Sequence, residues 1–345
     1  MKNLLLFCFS IVFTFLIIEL FLRLIPVADA TYIQSVNKSQ PYMHFRQNRD
    51  ITWSHGWNFS IQSKKHINNY GYMSNIDYKK TDENVIAVIG DSYVEAMQVD
   101  NNETFHHIFG ENTNNTIYAV GTSGSPLSQY LAYAKFIQDE FNSGKVIFTI
   151  IANDFDESMY KYKKSAGHHY FKKDENNNYF LKRIDYKASQ LKHMLRESYL
   201  VRYLFINVGI KKIKYIFNQD TYSANTVKYG SEERVEDSKL AIDLFFKELK
   251  KLNFKNENIL FVIDGNRQEI YNNKEDENAY FSIMRKYFMN EAIEKQYAIV
   301  DLNKVFKSDW EKNKKRFEST TDWHWNEYGH SIVSKAIENI LIFNN

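Results

Sequence analysis

The feature that most constrains this chain is a short apolar run at 85–89, Val-Ile-Ala-Val-Ile, that stops at Gly90. A run of that length, mostly β-branched and without polar alternation, suits a strand buried on both faces. Comparable runs stand at 116–120, 146–151, 259–263 and 298–302, with helical patterns at 129–141, 235–252, 280–295 and 326–342. Strands alternating with helices predict parallel βαβ units, hence an α/β fold with an open, doubly wound sheet and helices on both faces. Ligands bind such sheets beyond the carboxyl ends of the strands. The loops after Ile89, Val120, Ile151 and Ile263 are therefore where chemistry is expected.

An apolar stretch at 4–25, broken only by Glu19 and Arg23, precedes this pattern. As a helix it nearly matches a hydrocarbon core of about 30 Å. Glu19 and Arg23 are spaced for an i,i+4 ion pair. Lys2 before the stretch favours an amino terminus in the cytoplasm and an exported body. Residues 1–25 thus read as a transmembrane anchor, and the competing reading is a signal segment cleaved near Ala30, after Ala28-Asp29-Ala30. Residues 26–83 read as an irregular or short-stranded extension packed on the core, and 84–345 as the main domain. The interval 157–231 far exceeds the usual connection of about 4 to 6 residues and predicts a structured insertion, with one or two amphipathic helices in 191–217.

Composition narrows the function. Lys and Arg number 44 against 42 Asp and Glu, a formal charge of +2, which lacks the basic excess of a nucleic-acid-binding protein. The lone Cys8, inside the apolar stretch, excludes an intramolecular disulfide framework and a Cys-based zinc site. Aromatic residues make up 16%, which fits either a sugar-stacking surface or a codon bias that favours Lys, Asn, Ile and Tyr together.

Four stations carry candidate chemistry. Gly90-Asp91-Ser92 follows the first strand and enters a helix, so the Ser92 hydroxyl faces the cleft with its N–H at a helix amino terminus; Asp91 or Ser92 as a mere helix cap is the structural alternative. The loop Gly121-Thr122-Ser123-Gly124-Ser125-Pro126 follows the second strand and matches no phosphate-cradle motif. Asn153-Asp154 follows the third; an asparagine there can aim an amide hydrogen at an oxyanion, or simply form a turn. Late in the chain, Asp322 and His324 are placed to supply a general base and the group that fixes its tautomer. His168, His169 and His330 read as helix caps or surface residues.

This order of Gly-Asp-Ser, glycine loop, asparagine and late Asp-x-His resembles the four blocks of the SGNH, or GDSL, hydrolases over about residues 84–342. The resemblance implies a flavodoxin-like three-layer α/β/α sandwich. It makes Ser92 the nucleophile, His324 the base and Asp322 the orienting acid, with Ser92, Gly124 and Asn153 forming the oxyanion hole. No cofactor and no metal is implied. The end of the anchor and Ile67-Asn68-Asn69-Tyr70-Gly71-Tyr72 look like membrane-anchored bacterial members that end in Asp-x-His-Trp-Asn, which implies an inner-membrane protein with its catalytic domain on the periplasmic side. Two departures stand out: one residue, not two, separates Asp322 from His324, and Ala119 stands where an asparagine often precedes the oxyanion glycine.

The expected activity is that of a serine esterase removing O-acyl, above all O-acetyl, groups from exported glycans, so the partner is an acylated carbohydrate or another small ester. Asp91, Trp323 and Trp325 are expected to touch substrate, the tryptophans with the insertion forming a lid. A glycan O-acetyltransferase with the same triad is the first alternative, and a non-catalytic glycan-binding or assembly protein the second. No sequence feature specifies an oligomer.

Overall fold

The computed structural model describes residues 2–82, 84–210, 227–319 and 321–340. Five short apolar runs form one parallel sheet: β3 (Ile86–Gly90), β4 (Ile117–Gly121), β5 (Lys145–Ile150), β8 (Ile259–Ile263) and β9 (Ala298–Asp301), in the order β4-β3-β5-β8-β9. Counted within the sheet this is the flavodoxin-like order 2-1-3-4-5, and the chain reverses direction across the sheet between β3 and β5.

Alternate residues of each strand feed two cores. Ala87, Ile89, Val146, Phe148, Phe261 and Ile263 pack against α4 (Leu127–Phe141), α7 (Glu232–Leu249) and α9 (Tyr280–Glu294). Ile86, Val88, Ile147, Leu260 and Val262 pack against α3 (Phe105–Thr113), α10 (Leu302–Asn313) and α11 (Glu327–Glu338) on the other face. The result is the expected three-layer α/β/α sandwich, because strands buried on both faces need a helix layer on each. The sequence pattern does not disclose α3 and α10, and it places Leu302 in the last strand. In the structure Asp301 caps α10 directly, its carboxylate accepting the Asn303 N–H at 3.0 Å, so no loop separates strand from helix.

Strand ends crowd at the site. A Cβ on Gly90 would lie 2.5 Å from Val94 Cγ2, and one on Gly121 would lie 2.9 Å from the Asp91 carbonyl oxygen. Glycine at these two positions lets α2 (Ser92–Glu95) turn directly off β3.

The amino-terminal helix α1 (Lys2–Leu22) is long and apolar enough to cross a membrane, at about 1.5 Å per residue over 21 residues. Arg23 and Glu19 make the expected i,i+4 contact, at 3.4 Å. Between α1 and the sheet lies a hairpin, β1 (Arg49–His55) and β2 (Ile61–Ile67), and the Tyr78 hydroxyl from this region donates to the Ala119 carbonyl on β4 at 2.7 Å. The insertion contains the antiparallel pair β6 (His169–Lys173) and β7 (Tyr179–Arg183), then α5 (Gln190–Leu195), α6 (Tyr199–Arg202) and a π turn at Tyr203–Asn207. Its expected helical stretch 211–217 lies outside the described residues, as do Glu83 and the end of the chain after 340.

Phe261 is fully buried at the centre of one core, its ring 5.5 Å from Phe148 and 5.2 Å from Phe288. Phe261→Ala should lower unfolding stability by about 3–5 kcal/mol, read as a drop in the denaturant midpoint of the full chain in detergent with an unchanged slope.

Candidate active site

Asp91 caps α2 by accepting the Tyr93 N–H at 2.9 Å, which leaves Ser92 as the first helical residue. Backbone N–H groups of a helix's first turn have no partner within the helix, so the Ser92 N–H is available to a developing negative charge. Ser92 Oγ lies 2.8 Å from His324 Nε2. His324 Nδ1 meets Asp322 Oδ1, and the same carboxylate oxygen accepts the His324 backbone N–H at 2.8 Å. Three residues read from the sequence are therefore brought into one hydrogen-bonded line across 232 positions of chain.

The electrostatics derive from that line. Burial alone would push the Asp322 carboxyl up, but hydrogen bonds and the charge of His324 hold it well below the usual carboxylate range. Burial would likewise lower the His324 imidazole, and here the hydrogen bond and charge of Asp322 win, so it sits above its ordinary value of 6.5. Gln98 adds a contact that no motif announces: its Nε2 lies 3.4 Å from Asp322 Oδ2 and 3.1 Å from His324 Nδ1.

A buried network fixes the loop that carries the histidine. Arg267, on α8 (Arg267–Asn272), donates through Nη1 to both oxygens of Asp264, at 2.7 Å each. Its Nη2 donates to the Trp323 carbonyl at 2.7 Å and to the Tyr93 hydroxyl at 2.9 Å. Trp325 Nε1 donates to Asp264 at 3.2 Å. Tyr93 comes after the serine in sequence and Trp323 precedes the histidine, so Arg267 grips both halves of the line. Charge complementarity and full hydrogen bonding make such a buried guanidinium tolerable.

Gly124 and Asn153 occupy the loops after β4 and β5, and two residues at the start of the insertion bridge them. Asn153 Nδ2 donates to Glu157 Oε2 at 2.9 Å; Glu157 pairs with Lys163, whose Nζ donates to the Gly124 carbonyl at 3.0 Å. Gly124 has φ +78°, a left-handed conformation that glycine adopts without strain. Beneath them Glu95, one turn beyond Ser92, accepts both the N–H and the hydroxyl of Ser123, and burial pushes its carboxyl up to about 7.

The structure corrects several sequence expectations here. Trp325 is fully buried, packed between Tyr93 and Phe105, and is a core residue, not a substrate contact. Asp91 is buried and spends its carboxylate on Tyr93 and Ser92, so it too offers no surface to a ligand. Trp323 alone of the three remains open, at 45% exposure. His168, His169 and His330 are buried, not surface residues. Gln98, Glu95, Arg267, Glu157 and Lys163 carry no signal in the sequence, because each acts through a contact between segments distant in the chain or through a loop without a motif.

No protein-family model and no curated protein matches this chain. Among solved structures it is similar to LAE5, an alpha/beta hydrolase enzyme from the metagenome of Lake Arreo, Spain, at 11% identity and TM-score 0.42, covering 76% of this chain and 94% of that one. It is similar to the acetyl xylan esterase AlAXEase at 12% identity and TM-score 0.41, covering 73% and 97%. A member of the lipolytic protein G-D-S-L family from Veillonella parvula gives 9% identity and TM-score 0.38, covering 74% and 97%.

Arg267→Met, which strands Asp264 without its partner, should cost about 3–5 kcal/mol of unfolding stability, measured by denaturant titration. Were His324 to take a proton from Ser92 it would have to be neutral, and because its value is raised, any turnover that depends on it should fall on the acid side with a midpoint above 6.5. Asp322→Asn removes the raising influence, so in that variant the midpoint of the pH–kcat/KM profile should move down.

Proposed function

We propose that the chain is a serine esterase that hydrolyses O-acyl esters, O-acetyl groups on exported glycans foremost. The observation that carries this reading is the 2.8 Å contact of Ser92 Oγ with His324 Nε2, backed by Asp322 on the other ring nitrogen. In this reading Oγ gives its proton to Nε2 as it attacks the ester carbonyl. Negative charge on the former carbonyl oxygen is met by the N–H groups of Ser92 and Gly124 and by the Asn153 amide. That amide has two hydrogens, one already donated to Glu157, and the other serves the oxyanion. The imidazolium then protonates the leaving alkoxide, and water, activated by the neutral His324, releases the acid and restores Ser92. The glycan substrate rests on the resemblance of the 67–72 stretch and the Asp-x-His-Trp-Asn ending to membrane-anchored bacterial members of the family.

The membrane context belongs to the same proposal: α1 anchors the body to a bacterial inner membrane, with the site on the periplasmic side. The residues just after α1 favour a retained anchor. Val27, Ala28 and Ala30 are buried, the Pro26 carbonyl accepts Ser54 Oγ at 2.5 Å, and Asp29 pairs with Arg202 at 2.6 Å. Cleavage near Ala30 would strip these contacts from the folded body.

Purified full-length protein should label with a fluorophosphonate and turn over p-nitrophenyl acetate, and Ser92→Ala should abolish both. Asn153→Ala should keep labelling but lower kcat by about 10²–10³-fold. An unlabelled, inactive wild-type chain would sink the esterase reading, and acetyl transfer to an added glycan in preference to water would redirect it to a transferase.

A further inference from the structure

The exit of α1 is built into the insertion. Glu19 accepts Ser198 Oγ at 2.8 Å and the backbone N–H groups of Tyr199 and Leu200 at 2.9 Å each, so a side chain of the apolar helix caps α6. Arg23 and Arg202 lie over the Tyr199 ring at 5.1 and 3.9 Å. Asn207 accepts the Ala28 N–H at 3.2 Å and donates to Ser54 Oγ at 2.7 Å, which joins the π turn, the residues after α1 and β1 in one knot. The Tyr203 hydroxyl donates to the Trp57 carbonyl at 3.0 Å and brings the hairpin tip to the same place.

Six large apolar side chains around this knot face outward: Leu191, Met194, Leu195, Phe205, Val208 and Trp57 are between 38% and 71% exposed. Leu191, Met194 and Leu195 share one face of α5 by their i, i+3, i+4 spacing. The opposite face is fixed to the body, with the His193 ring 5.0 Å from that of Tyr32 and Arg196 donating to the Thr31 carbonyl at 3.2 Å. Exposed apolar side chains so grouped mark an interaction surface.

We propose that this apolar rim is a lipid-docking surface that lies in the headgroup region of the bilayer crossed by α1. The inference rests on reading α1 as a membrane span, and continuity decides the occupant. The rim starts where the span ends, and Leu24 between them is 82% exposed. Apolar faces of interfacial helices settle about 5–10 Å into the headgroup boundary, and tryptophan is enriched at that level. Lys192, exposed on α5 next to Leu191, supplies a cation of the kind that anionic headgroups attract. Docking at two places, span and rim, holds the body in one orientation to the membrane; a single tether would let it swing.

The test uses the full chain in phosphatidylethanolamine–phosphatidylglycerol vesicles. Cys8 is the only cysteine, so Cys8→Ala gives a background in which Met194→Cys, Phe13→Cys or Lys312→Cys carries an environment-sensitive fluorophore. The label at 194 should show blue-shifted emission, quenching by lipids spin-labelled near the headgroup and severalfold protection from iodide, while the label at 312 on α10 behaves as in water. Adding Leu191→Glu and Leu195→Glu should return the label at 194 to water, with an unchanged circular dichroism spectrum as the check on folding. A water-exposed label at 194 beside a lipid-buried label at 13 overturns the docking surface and leaves the anchor standing. Water exposure at both overturns the two together.

Discussion

The site depends on one buried pair. Asp264 follows β8 and Arg267 begins α8, and neither is more than a few per cent exposed, so the two charges are tolerable through each other, through the buried Glu318 carboxylate 3.4 Å from Arg267 Nε, and through the hydrogen bonds around them. Once held, the guanidinium has donors in a fixed fork. It spends them on Tyr93, next to the serine, and on Trp323, next to the histidine. The 2.8 Å separation of Ser92 and His324 is thus set from below by a group that touches neither of them.

The short Asp-x-His spacing has a local explanation. An aspartate readily captures the backbone N–H two residues on, and Asp322 does so with His324. The same oxygen meets the ring Nδ1, so one carboxylate fixes both the backbone and the tautomer of His324. A wider spacing would move the backbone contact off the histidine. Gln98 then serves the second carboxylate oxygen, which would otherwise lack a donor from the loop.

How much of this the sequence discloses depends on the range of the interaction concerned. The sheet is legible because strands buried on both faces must be apolar at every position, and the contact line of Ser92, His324 and Asp322 is legible because its members sit at a strand end and in a short loop. Helix α3 is not, since Phe-His-His-Ile-Phe-Gly-Glu-Asn-Thr contains a glycine and two histidines of modest helix propensity, and tertiary packing of Phe105 and Phe109 decides it. Trp323 and Trp325 are two apart in a loop, one open to solvent and the other in the core, and composition gives no sign of which is which. Arg267 and Glu95 lie in ordinary helical sequence, and their importance comes from partners in segments that local periodicity does not relate.

The insertion is where sequence reasoning has least to say and where the structure adds most. Its first residues, Glu157 and Lys163, bridge the loops that carry Asn153 and Gly124. Its strand β6 receives the Ser128 hydroxyl of α4 at the His169 carbonyl, 2.7 Å, and Val36 pairs with Tyr186 beyond β7. Its residues 198–207 then bind Glu19, Asp29 and Ala28 at the end of α1. A single segment is therefore hydrogen-bonded to the loops of the site at one end and to the apolar helix at the other. A displacement of this segment at the α1 end would load bonded contacts that continue toward those loops, because close-packed interiors transmit strain.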